Sequence, residues 1–112
     1  MNRIFLAIVV SLLLIPFTAL AETWKDVPVV DTLCLKDVKA DPDKHTKQCA
    51  LQCAKGGYGV LTIDGEYLTF DAAGNEKALA ALKAATKSDH LRATVEGTRT
   101  GQTIELAWIA IE

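Results

Sequence analysis

Asp64-Gly65 separates two runs that alternate with a period of two, Tyr58 to Ile63 and Glu66 to Phe70, and no other feature narrows the possible folds as much. Asp-Gly between alternating segments predicts an antiparallel hairpin. With a two-residue turn, Leu61 faces Leu68, and Ile63 and Phe70 share their side. Thr62, Tyr67 and Thr69 take the opposite face. The chain therefore contains a sheet with one apolar face, and its remaining elements must cover that face.

The flanking segments supply the cover. Val27 to Leu35 is β-branched and apolar enough for a first strand, with Pro28 confining it to an edge or to the strand's start. Asp41-Pro42-Asp43 gives a turn and a helix start, and a helix through Lys55 is stopped by Gly56-Gly57. Asn75 reads as the cap of a second helix, Glu76 to about Thr86, with Leu79 and Leu82 on one stripe. His90 to Glu96 alternates again, with Leu91, Ala93 and Val95 inward, and Gly97 and Gly101 bracket a turn. The last strand, Thr103 to Ile111, places Ile104, Leu106, Trp108 and Ala110 on one side and Ile109 and Ile111 on the other, so its end is expected to be covered on both faces.

Five strands with a helix between the third and fourth is the order of an OB-fold, a small Greek-key barrel. The expected class is α+β, mainly β with two helices: a five-stranded OB-like barrel with an extra Cys/His helix between strands 1 and 2. The loop that this helix fills is one of two that such barrels use to hold ligands. An open α+β sandwich is the competing architecture.

The N-terminus reads as a targeting segment. Met1-Asn2-Arg3 is basic, Ile4 to Ile15 is an apolar run broken by Pro16, and Ala19-Leu20-Ala21 has the small-x-small form of a cleavage site. The run is about a dozen residues long, whereas a membrane span needs roughly 20. Residues 1–21 are thus expected to be a signal peptide and residues 22–112 a single OB-like domain, periplasmic or secreted, without membrane insertion after cleavage. With Arg3 removed, 11 basic residues face 14 acidic ones, without a Lys/Arg cluster. That balance offers no footprint for nucleic acid and no basic amphipathic helix for a membrane surface.

An oxidising compartment makes the cysteines the next question. Cys34, Cys49 and Cys53 fall within twenty residues, accompanied by His45. In a continuous helix, His45, Cys49 and Cys53 stand at i, i+4 and i+8. Residues four apart have Cβ atoms about 5–6 Å apart, whereas a disulfide needs about 3.5–4.5 Å. Cys49 and Cys53 therefore do not bond to each other within a helix. Cys34 reaches either, so one bridge leaves one thiol over. Thiolates with imidazole suit zinc or copper, and Cys34, His45, Cys49 and Cys53 form a candidate ligand set. Eight residues span about 12 Å of helix axis, so one tetrahedral ion held by all four requires a distorted helix. Cys34, Cys49 and one neighbour make an easier three-ligand group.

A structural role accounts for the same residues. A Cys34–Cys53 or Cys34–Cys49 staple would pin the helix to strand 1 and leave the third thiol buried as a small hydrophobe. Thiol redox chemistry ranks third, because Cys-x₃-Cys is not the Cys-x-x-Cys of thioredoxin-like enzymes. Asp31 reads as a strand-end carboxylate, with direct or indirect support of a metal as its alternative. His90 reads as an exposed polar residue. Trp24 and Trp108 read as a rim aromatic and a core residue. No carboxylate pair, serine–histidine set or haem-attachment motif is present, so no catalytic constellation and no enzyme is expected.

Asp31-x₂-Cys34, His45-x₃-Cys49-x₃-Cys53, the step at Gly56-Gly57, the Asp64-Gly65 hairpin and the ending from Val95-x-Gly97 to Ile111 together form a pattern. It resembles small secreted bacterial proteins of uncharacterised function. The resemblance implies an OB-like barrel and groups the three cysteines with His45; it implies no substrate. The expectation is a non-enzymatic periplasmic protein that binds zinc or copper. Its alternative is a disulfide-stapled module that meets an unknown protein or small ligand through Tyr58, Tyr67 and the Thr62/Thr69 face.

Overall fold

A computed structural model describes residues 20–112; the signal-peptide reading of residues 1–21 falls almost wholly outside them. Five strands close into a barrel in the order β1-β2-β3-β5-β4. They are β1 Glu22–Asp31, β2 Tyr58–Leu61, β3 Tyr67–Phe70, β4 Arg92–Thr100 and β5 Thr103–Ile111. Two short helices, α1 Leu35–Val38 and α2 Lys47–Gln52, lie between β1 and β2, and α3 Ala72–Ala84 lies between β3 and β4. This is the OB-like α+β barrel with a helical insertion after strand 1. Among the described residues no helix is long and apolar enough to cross a membrane.

β1 makes closure possible because it serves two neighbours. Its first part pairs with β4, from Glu22 opposite Gly97 to Pro28 opposite Arg92, and its last part pairs with β2, Val29 opposite Val60 through Asp31 opposite Tyr58. An irregularity between Trp24 and Val27 bends the strand, with Asp26 in the left-handed region at φ 53°. Asp tolerates that conformation better than most residues. Parallel pairing of β3 with β5 at Thr69–Thr103 and Phe70–Ile104 shuts the other side.

Several expected elements shift, each for a local reason. The strand expected over Val27–Leu35 begins earlier and stops at Asp31, because the Asp31 side chain accepts from the Cys34 N–H and starts a 3₁₀ turn, Thr32–Cys34. The hairpin loop has three residues, Ile63-Asp64-Gly65, closed by Thr62 N–H to Glu66 O and Gly65 N–H to Thr62 O, with Gly65 at φ 82°. That loop shifts the register by one, so Val60 faces Leu68, and Ile63 is fully exposed instead of inward. Helix α3 starts before Asn75 because Asp71 caps it, accepting from the Gly74 N–H. The freed Asn75 carboxamide oxygen accepts from the Tyr58 N–H.

Gly97 belongs to β4 and not to a turn: a Cβ there would stand 2.3 Å from the Glu105 carbonyl oxygen. Beside it, Glu96 pairs with Trp108 and Gly97 with Leu106, which leaves Ala107 bulged out of register. The bulge reverses inside and outside along β5. Ile104 and Leu106 point into the core before it, and Ile109 and Ile111 pack against the core after it. Trp108, expected inside, is 51% exposed. The barrel interior is otherwise apolar, built from Val29, Val60, Leu68, Phe70, Ala93 and Val95, and Ala78 and Leu82 of α3 plug one end.

Candidate metal centre

Among the described residues, the buried polar or charged side chains are Asp31 at 0% and His45 at 3% exposure. They meet: His45 donates from Nε2 to Asp31 Oδ1 at 2.5 Å. The other carboxylate oxygen, Oδ2, accepts from the Cys34 N–H at 2.9 Å. A buried carboxylate is costly unless it is hydrogen-bonded, and both oxygens of this one are.

His45 reaches Asp31 because the helix expected from Asp41 to Lys55 is broken. Pro42–Lys44 forms a 3₁₀ turn, His45 and Thr46 are extended, and α2 begins at Lys47. Thr46 is the reason. Its hydroxyl accepts from the Cys49 N–H at 3.1 Å, an N-cap that requires β-region backbone at Thr46 itself. The register His45, Cys49, Cys53 on one helix face therefore does not exist: His45 precedes the helix and Cys53 ends it. Ala50 seats α2, fully buried beneath the Tyr58 hydroxyl, which donates to its carbonyl at 2.7 Å.

Cys53 closes the second half of the site. It caps α2 and opens a 3₁₀ turn, Ala54–Gly56, and its Sγ lies 3.6 Å from Cys34 Sγ. Backbone and packing hold the two turns together. The Thr32 N–H donates to Gly57 O at 3.0 Å. Leu33 lies over Gly56, where an added Cβ would meet its Cγ at 2.5 Å. Gly57 adopts φ 77° against the Asn75 side chain. The two glycines that stop the helix thus also provide the close approach that brings Cys53 to Cys34.

One donor atom each from Asp31, Cys34 and Cys53 lie within 4.8 Å of one another, the one such group of potential metal ligands among the described residues. Burial pushes the Cys34 thiol up to about 12, helped by its hydrogen bonds to Cys53 and Asp31. A thiol so placed keeps its proton at neutral pH until a cation displaces it. Of the four residues proposed from sequence, Cys34 and Cys53 are brought together. His45 touches the group through Asp31, and Cys49 lies outside the group, exposed on α2.

No protein-family model matches the chain, and no curated protein or solved structure matches it either. The chemistry of the site rests on its own residues. Asp31 carries more of it than its sequence position suggested. The available signal was the spacing Asp31-x₂-Cys34, which allows a side-chain cap onto the third residue, at the end of the buried run Val29-Val30. The tyrosine face expected to meet a partner is not free. Tyr58 is core, and the Tyr67 hydroxyl donates to Val30 O at 2.8 Å and lies 3.0 Å from Thr32 Oγ1. Burial holds the Tyr67 phenol up at about 12.

Proposed function

We propose that this protein is a non-enzymatic metal-binding protein of the periplasm or an extracellular space, holding zinc or copper through Cys34, Cys53 and Asp31. The observation that carries the reading is the 3.6 Å separation of the two sulfurs beside a buried carboxylate. Two thiolates at Zn–S distances of about 2.3 Å in a tetrahedron stand about 3.8 Å apart. The pair therefore has nearly the spacing that one ion requires. Cys₂ with one carboxylate leaves a position for water or an external donor. His45 fixes the carboxylate from behind, as histidine–carboxylate pairs do around metal ligands. Thiolate donors favour zinc or cuprous copper over calcium or magnesium.

The same approach of the sulfurs also supports a second reading, a permanent Cys34–Cys53 staple in a metal-free accessory module. Titration of the reduced, purified protein with zinc against a chromophoric chelator separates the two. The metal reading expects one equivalent bound, lost in Cys34→Ser and in Cys53→Ser and kept in Cys49→Ser. Reduced protein that takes up no zinc or cuprous ion supports the staple.

A further inference from the structure

We propose that the Cys34–Cys53 pair is a redox gate on the metal: a disulfide-bearing oxidant closes the two sulfurs into a bond and expels the ion, and reduction restores the site. This inference rests on the metal reading above and adds its regulation. Four observations carry it.

The first is distance. At 3.6 Å the sulfurs sit near the tetrahedral edge of a zinc site, and they need to approach by only about 1.5 Å to reach bonding distance. Second, both cysteines lie at the ends of short turns, outside every strand, so closing the bond leaves the barrel register untouched. Third, the turns that carry them are held together without metal, by the Thr32–Gly57 hydrogen bond and by Leu33 seated over Gly56. These contacts by themselves keep the sulfurs neighbours.

The fourth is the polar accounting at Asp31. Its two oxygens accept from His45 and from the Cys34 N–H, and no buried side-chain nitrogen or oxygen lacks a partner among the described residues. Loss of the cation therefore leaves no orphaned charge that would force the site to stay loaded. A carboxylate alone, already engaged on both oxygens, does not retain a thiophilic ion once the thiolates are withdrawn.

The chemistry balances. One metal-bound cysteine thiolate attacks a sulfur of the incoming disulfide and releases its first half as a thiolate. The second cysteine sulfur attacks the resulting mixed disulfide and releases the other half. The two cysteines lose two electrons together, the oxidant gains them as two thiolates, and the ion departs with its charge unchanged. Both cysteines are half-buried, not sealed, so a small or extended disulfide has access.

The test loads the reduced protein with one equivalent of zinc and treats it with oxidised glutathione. Thiol counting, intact mass under non-reducing conditions and a zinc-release dye are read together, in wild type and in Cys49→Ser. The expected result is zinc release in step with a Cys34–Cys53 bond, an apparent zinc affinity at least 100-fold weaker, and recovery after dithiothreitol. Circular dichroism should be unchanged throughout. Zinc that stays bound after oxidation, or oxidation confined to Cys49, overturns the gate while leaving the metal site standing. Reduced protein that binds neither zinc nor cuprous ion at the outset overturns the metal reading and the gate with it.

Discussion

Replacing His45 by alanine tests the buried frame on which the site is built. Asp31 is 0% exposed, and its Oδ1 has the His45 Nε2 as partner, at 2.5 Å. Removing the ring leaves that oxygen desolvated without a donor, which costs about 1–3 kcal/mol. The vacated ring space adds roughly 1 kcal/mol if the surroundings do not collapse. A net loss of about 3 kcal/mol follows, a large share of the total stability of so small a domain. At about 4–8 °C per kcal/mol, the midpoint should fall by at least 12 °C. The assay is urea and thermal unfolding of reduced protein in chelator, so that metal makes no contribution. His45→Gln, which keeps a donor, should recover part of the loss. His90→Asn should leave the midpoint nearly where it is, because the exposed His90 ring hydrogen-bonds only the neighbouring Asp89 side chain among the described residues, and asparagine tolerates the left-handed backbone there at φ 51°. A loss below about 0.5 kcal/mol for His45→Ala, within the range of ordinary surface changes, would refute the claim that this pair organises the site.

Trp108→Thr should change stability by less than about 0.5 kcal/mol, as an outward residue, while Phe70→Ala should cost about 3–5 kcal/mol; comparable losses would place Trp108 in the core. Gly97→Ala should cost roughly 1–3 kcal/mol in urea unfolding, because its Cβ meets the Glu105 carbonyl across the β4–β5 ladder, and a neutral result would contradict that close approach. The Arg92 guanidinium, bonded to both oxygens of Asp43, holds that carboxyl below the ordinary carboxylate range. The pair's contribution is therefore complete above the range in which unfolded carboxylates titrate and is lost as pH falls through the lowered value. Partial exposure of both side chains limits it to about 1 kcal/mol. Asp43→Asn should be less stable than wild type at neutral pH and equal to it in strong acid; a pH-independent gap would contradict the assignment.

The strand order and the inward residues of β4 were legible because alternation over a half-buried sheet leaves a direct trace in sequence. The errors arose where one residue alters the phase. A third loop residue at Ile63 moved the hairpin register, and the Ala107 bulge turned Trp108 out, while Ile109 and Ile111 are covered as expected. Neither changes composition or pattern enough to be read beforehand. The candidate site was partly legible. The three thiols and His45 declared themselves by type, but their geometry depended on Thr46 capping α2 and on Gly56 accepting Leu33. A continuous helix would set Cys49 beside Cys53 as an equal ligand and leave Asp31 peripheral. The local cap reversed those weights: it released His45 to turn inward onto Asp31 and left Cys49 in solvent.

X-ray absorption at the zinc edge of the reduced, singly loaded protein tests the central claim most directly, since it counts the sulfurs on the ion. Cys34 and Cys53 with Asp31 should give two sulfur scatterers at about 2.3 Å and the remaining neighbours oxygen or nitrogen at about 2.0–2.2 Å. Cys49→Ser should leave that spectrum unchanged. A first shell without sulfur, or one that keeps both sulfurs in Cys34→Ser, would contradict the site built here.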